Sequence, residues 1–175
     1  MTMQFEELDD DTRFYMHRAF RAEESGDPYR SGRLSADGKE AFPELMAQAI
    51  NIGDESTLSQ SLLRANFWEP GYPSGRPVPM HHYSEQLARS EFNTWYVAGL
   101  AARLTHEGET YCQVYRAVNP GSNPGPCPAR EGRYTLVEII DGHRAHYWPL
   151  PGDRSRSSIP ATPGCHHTIR RLPRP

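Results

Sequence analysis

The sequence predicts an α+β fold: three or four N-terminal helices followed by a small antiparallel β-sheet packed on a central helix at 84–107. Three observations predict it. Leu87, Phe92, Trp95, Tyr96, Gly99, Leu100 and Leu104 recur at helical spacing, which gives the central helix a broad apolar face. After Gly108, a natural left-handed helix stop, the segments 110–118 and 133–140 alternate with the strand period of two. No helix is expected between these two strands, so the crossover a parallel sheet needs is missing.

The elements follow in order. A first helix is expected over 5–24, capped by Asp10 or Asp11, with Phe14, Tyr15, Ala19, Phe20 and Ala22 as its apolar positions and Ser25-Gly26-Asp27-Pro28 as its end. Ser35 caps a second helix running to Asn51. Pro43 is tolerated only in a first turn, which would move the regular helix start to Ala41. Asp54 or Ser56 caps a third helix to about residue 67. Residues 69–83 hold four prolines and two glycines and read as a long loop. After the strand at 110–118 and a Pro/Gly loop, residues 133–140 and 143–148 read as a hairpin around Asp141-Gly142, a type I′ turn pair. A last strand is expected over 165–172, making a four-strand meander. The whole chain, 1–175, reads as a single domain with 1–68 helical, 69–83 a loop and 84–175 helix plus sheet.

Composition agrees. A chain of 175 residues suits one domain, and 37% hydrophobic content with 16 Pro and 14 Gly points to long irregular connections around one core. The formal charge of −3 provides no overall basic field for nucleic acid. The charge is uneven, however: residues 6–11 are acidic, whereas 166–175 carry Arg170, Arg171 and Arg174 and no acid. Three cysteines is an odd number, there is no secretory leader pattern, and no apolar run approaches the roughly 20 residues of a spanning helix. These features predict a cytoplasmic protein with reduced thiols and no membrane partner.

Two sets of residues carry candidate chemistry. Cys112, Cys127, Cys165 and His166 make a Cys3His set of the structural-zinc type, although no CxxC or HxxxH pair anchors it. His143, His167, Arg116, Arg144, Glu138 and Glu131 are the polar groups expected on the sheet or at its edge. Imidazoles titrating near neutrality can take and return a proton, while guanidiniums stabilise phosphoryl charge. Arg154, Arg156, Arg170, Arg171 and Trp148 add groups that contact phosphate and stack on bases. The reading is a nucleic-acid-binding or nucleic-acid-processing protein, in catalytic form a metal-independent His/Arg/Glu ribonuclease-type phosphodiesterase acting through its C-terminal sheet face. The alternative is a non-enzymatic, zinc-stabilised protein-interaction or regulatory module, since Trp, Tyr and Arg also mark protein interfaces. A third is a small-molecule enzyme with its cleft under the 69–83 loop. The dinucleotide fingerprint, Walker loop, HExxH, Gly-x-Ser-x-Gly and zinc-deaminase patterns are all absent.

Overall fold

The structure, a computed structural model, describes residues 2–24, 31–71, 79–118, 130–147, 158–160 and 165–173. Helices α1 (Asp10–Glu24), α2 (Ala36–Ile52) and α3 (Glu55–Ser61) come first, with a 3-10 turn at Ala65–Phe67. The long α4 (Met80–His106) precedes β1 (Tyr111–Arg116), β2 (Gly132–Thr135), α5 (Leu136–Tyr147) and β3 (His167–Arg171). The class is α+β as expected, with α4 packed on the sheet.

Local chemistry explains the helix starts. Asp9, one residue before the expected caps, accepts the Thr12 N–H at 2.9 Å and opens α1. Ser35 caps α2 by accepting the Gly38 N–H at 3.1 Å, and Asp54 caps α3 through the Thr57 N–H at 2.9 Å. The second helix starts at Ala36 and runs straight through Pro43, instead of starting at Ala41 with Pro43 in its first turn. The Ser35 cap and the burial of Phe42, Met46, Ala49 and Ile50 outweigh the N–H lost at Pro43. The face α1 buries is Thr12, Met16 and Phe20, with Ala19 partly covered, while Phe14 is exposed.

The 27 residues of α4 span about 40 Å and form the spine of the fold. Trp95 meets Phe20 edge-on at 5.2 Å between ring centroids, and Phe5 tilts against Phe92 and Tyr96 at 5.4 and 4.7 Å. At Gly99 the backbone of α1 comes so close that an added Cβ would sit 2.6 Å from the Met16 nitrogen.

Among the described residues the sheet has three antiparallel strands in the order β2-β1-β3, not the expected four-strand meander. Cys112 faces Arg171 across one pair and Tyr134 across the other, and Arg116 faces His167. The expected hairpin does not form. Asp141-Gly142 lies inside α5, not in a turn. A reciprocal capping box starts this helix: the Thr135 Oγ1 accepts the Glu138 N–H at 3.2 Å, and the Glu138 carboxylate accepts the Thr135 N–H at 2.8 Å. Leu136 and Ile139 are then buried on one face, with His143 one turn further, while Val137 is exposed. Helical burial of that stripe wins over the turn propensity of Asp-Gly.

The uneven charge of the sequence proves to be internal complementarity. The acidic N-terminal segment lies along the last strand. Arg170 pairs with Glu6 at 2.8 Å, and the Arg171 N–H donates to the Glu7 carboxylate. The Arg171 guanidinium also reaches Glu107 at 2.5 Å and Glu109 at 3.2 Å. Gln4 N–H donates to the Ala117 carbonyl at 2.8 Å, and the Tyr115 hydroxyl donates to the Gln4 carbonyl at 2.6 Å.

Candidate functional site

Two strand ends and one strand approach meet at a single edge of the sheet: the end of β1 at Arg116, the residues before β2 at Arg130 and Glu131, and the start of β3 at Cys165 to His167. The register fixes this meeting, because Arg116 pairs with His167 and the Ala117 N–H donates to the His166 carbonyl at 2.8 Å. From behind, Asn93 on α4 donates its side-chain N–H to the His167 carbonyl at 2.8 Å, which ties β3 to the spine.

Within this edge four side chains form a chain of contacts. Cys165 Sγ lies 3.7 Å from His167 Nδ1. His167 Nε2 lies 3.2 Å from Glu131 Oε1, which also meets Arg116 Nε at 3.3 Å. The other Glu131 oxygen accepts the Arg130 N–H at 3.1 Å. His167 is wholly buried and Cys165 is 1% exposed, whereas Glu131 is 42% exposed at the side chain. The Glu131 carboxyl is held at about 2, first by its own backbone N–H and then, against a desolvation cost, by Arg116 and His167. Burial lowers the pKa of His167; Glu131 partly restores it, and Arg116 and Arg130 lower it again. At neutral pH the ring is therefore a neutral imidazole. The Glu131 carboxylate lies 3.2 Å from Nε2 without the alignment of a hydrogen bond, and its charge favours the proton on that nitrogen, which leaves the Nδ1 lone pair toward the thiol. This is the order of groups that activates a nucleophile: thiol, base, orienting carboxylate.

Of the six expected catalytic residues, Arg116, Glu131 and His167 come together. The other three lie on α5. Glu138 is spent in the capping box, Arg144 is exposed, and the half-buried His143 ring meets Trp95 edge-on at 5.6 Å. Asn93 and Trp95 are two residues apart on α4, about 200° around the helix, so the His143 contact and the His167 contact leave opposite sides of it. The expected convergence of both histidines on one sheet face fails because the second hairpin strand is a helix.

Arg170 and Arg171, expected to hold phosphate, are turned toward carboxylates of the same chain, and Arg170 also lies over the Tyr115 ring. Arg154, Arg156, Trp148 and Cys127 lie outside the described residues. The zinc set is divided by the register. Cys112 pairs with Arg171, six residues beyond Cys165, which is about 20 Å along the strand. One ion with zinc–sulfur bonds of about 2.3 Å cannot take both. Burial, with Glu138 adding to it, raises the Cys112 thiol to about 12, and His166 sits within reach of the charges of Arg89 and Arg116. Among the described residues no group of three or more His, Cys, Asp or Glu is arranged to hold a metal ion.

The pairing of Cys165 with His167 had a signal in the sequence. Residues i and i+2 of an extended chain share a face, so Cys-His-His puts the second histidine, not the first, beside the thiol. Among the described residues no helix is long and apolar enough to cross a membrane. No protein-family model, curated protein or solved structure matches the chain.

Proposed function

We propose that the chain is a thiol-dependent acyl-transfer enzyme of the hydrolase type, with Cys165 as nucleophile, His167 as base and Glu131 as the positioning carboxylate. The observation that carries the reading is the Cys165–His167–Glu131 chain of contacts at 3.7 and 3.2 Å. The Cys165 sulfur would attack an ester, thioester or amide carbonyl while its proton passes to His167 Nδ1. Collapse of the tetrahedral adduct expels the leaving group, which takes that proton back, and leaves a thioester. Water, deprotonated by the same nitrogen, then releases the acid and restores the thiol. Glu131 stabilises the imidazolium formed in each half.

Phosphodiester processing is the weaker proposal. A ribonuclease-type imidazole must direct one nitrogen at the substrate, whereas both nitrogens of His167 face protein groups.

With Cys165 1% exposed, turnover demands that this edge open, which makes thiol access the deciding measurement. Iodoacetamide labelling with the modified residue assigned by mass spectrometry is expected to mark Cys165 well ahead of Cys112. p-Nitrophenyl acetate is expected to give a stoichiometric burst that Cys165→Ala abolishes and Glu131→Gln slows about tenfold or more. Absence of a burst together with labelling of Cys165 no faster than Cys112 would reduce the cluster to a buried structural brace.

A further inference from the structure

We propose that the cleft between α3 and α4 binds a small organic cation, a primary ammonium or guanidinium of roughly six heavy atoms. The cleft measures about 150 Å³ and is lined by Glu55, Ser56, Ser59 and Gln60 of α3, by Glu85 and Arg89 of α4, and by Thr2. A void of that size takes a benzene-sized guest when its walls are apolar. These walls are polar, so the guest must offer hydrogen bonds.

Glu55 shows which kind. Its side chain belongs to a residue only 5% exposed, and one oxygen accepts the Met3 N–H at 2.6 Å. The other oxygen, Oε2, is buried and has no hydrogen-bond partner among the described residues. Burial raises the Glu55 pKa, and a positively charged donor is the partner that favours its ionised form, whose oxygens can only accept. Glu85 contributes a second carboxylate to the same walls against the single guanidinium of Arg89, a balance that disfavours an anion. The hydroxyl oxygens of Ser56 and Ser59 and the Gln60 amide oxygen can accept further N–H groups. A metal ion is the poorer fit, since no three metal-type ligands gather among the described residues. An alkylammonium or guanidinium supplies positive charge and several donors from one small body.

The inference stands apart from the thiol chemistry, and the experiment keeps the two separate. Titration calorimetry of the full chain with methylguanidinium and ethylammonium is expected to show saturable binding. Glu55→Gln should weaken it about tenfold, because the new amide keeps an oxygen for Met3 but puts a donor against the ligand. Glu85→Gln, at an exposed position, is the second variant and should weaken it as well. Tetramethylammonium, which has the charge and no donor, is expected not to compete, and Cys165→Ala is expected to leave the binding unchanged. No saturable binding of either cation, or equal affinity in wild type and both glutamine variants, would overturn the proposal.

Discussion

Replacing Gly99 by alanine tests the contact that sets the spacing of the two longest-packed helices. The added Cβ would lie 2.5 Å from Met16 Cγ, 2.6 Å from its nitrogen and 2.7 Å from its Cα. The methionine side chain can swing away, but the nitrogen and Cα belong to the α1 backbone, so the helices must part by roughly 0.8 Å to reach ordinary contact. Overpacking of this kind costs about 1–3 kcal/mol, and a clash with backbone belongs at the upper end. Alanine returns about 1 kcal/mol through its better helix propensity. The net expectation is a loss of about 2 kcal/mol, or about 4–8 °C in Tm for a chain of this size. Urea unfolding followed by tryptophan fluorescence reads it directly, since Trp95 lies on the neighbouring turn of α4 against Phe20 of α1. Gly32→Ala is the control, because nothing lies within 4 Å of its added Cβ. A Gly99→Ala protein within about 0.5 kcal/mol of wild type would refute the close approach of the helices.

Two other expectations concern α5 and the site. Thr135→Ala should cost about 1 kcal/mol by removing one half of the capping box. Combining it with Glu138→Ala in a double-mutant cycle should cost less than the sum of the two, because both changes remove the bond that the Thr135 hydroxyl donates to the Glu138 carboxylate at 2.8 Å; strict additivity would mean that this side-chain bond contributes nothing. Acid should destabilise the protein in two stages. His167 binds its proton less readily folded than unfolded, so stability starts to fall as the pH drops below about 6.5. Glu131, held at about 2 in the folded state, contributes fully above about 4.5, and that contribution is lost as the pH falls from there toward 2. NMR titration should place His167 below the ordinary histidine range and lower still in Glu131→Gln, which removes the carboxylate that favours the imidazolium. A His167 titration unmoved by that substitution would separate the two residues.

The parts of the fold that could be read from the chain are those governed by local chemistry. Ser35 and Asp54 announced their helices because a cap is decided within three residues. The apolar spacing of the central helix and the alternation of the first and last strands are equally local, although α4 starts at Met80, ahead of the expected Ser84. Asp141-Gly142 predicts a turn, but the residues around it outweigh that pair. Leu136, Ile139, Ile140 and His143 also fit helical spacing, and Thr135-Leu136-Val137-Glu138 spells a capping box. The site was half legible. Arg116, Glu131 and His167 could be marked as reactive types, but their meeting depends on the β1–β3 register and on Asn93 holding β3, which are tertiary facts. In sequence Cys165 reads as one ligand of a Cys3His set, whereas the chain's alternation turns His167 toward its thiol.

The docking of the acidic leading segment on the final strand has a consequence for biosynthesis. Glu6 and Glu7 stand 164 positions from the arginines that receive them, so the ribosome makes one side of this contact long before the other. The helices ahead of the sheet can settle early through short-range packing, whereas the sheet edge waits for residue 171 to emerge. Closing so wide a ring adds little to the equilibrium cost but slows the search for it. A nascent chain halted before residue 167 carries Arg116 and Glu131 without the imidazole that Glu131 meets. Any reactivity of the thiol is thereby withheld until synthesis has delivered the strand that completes it.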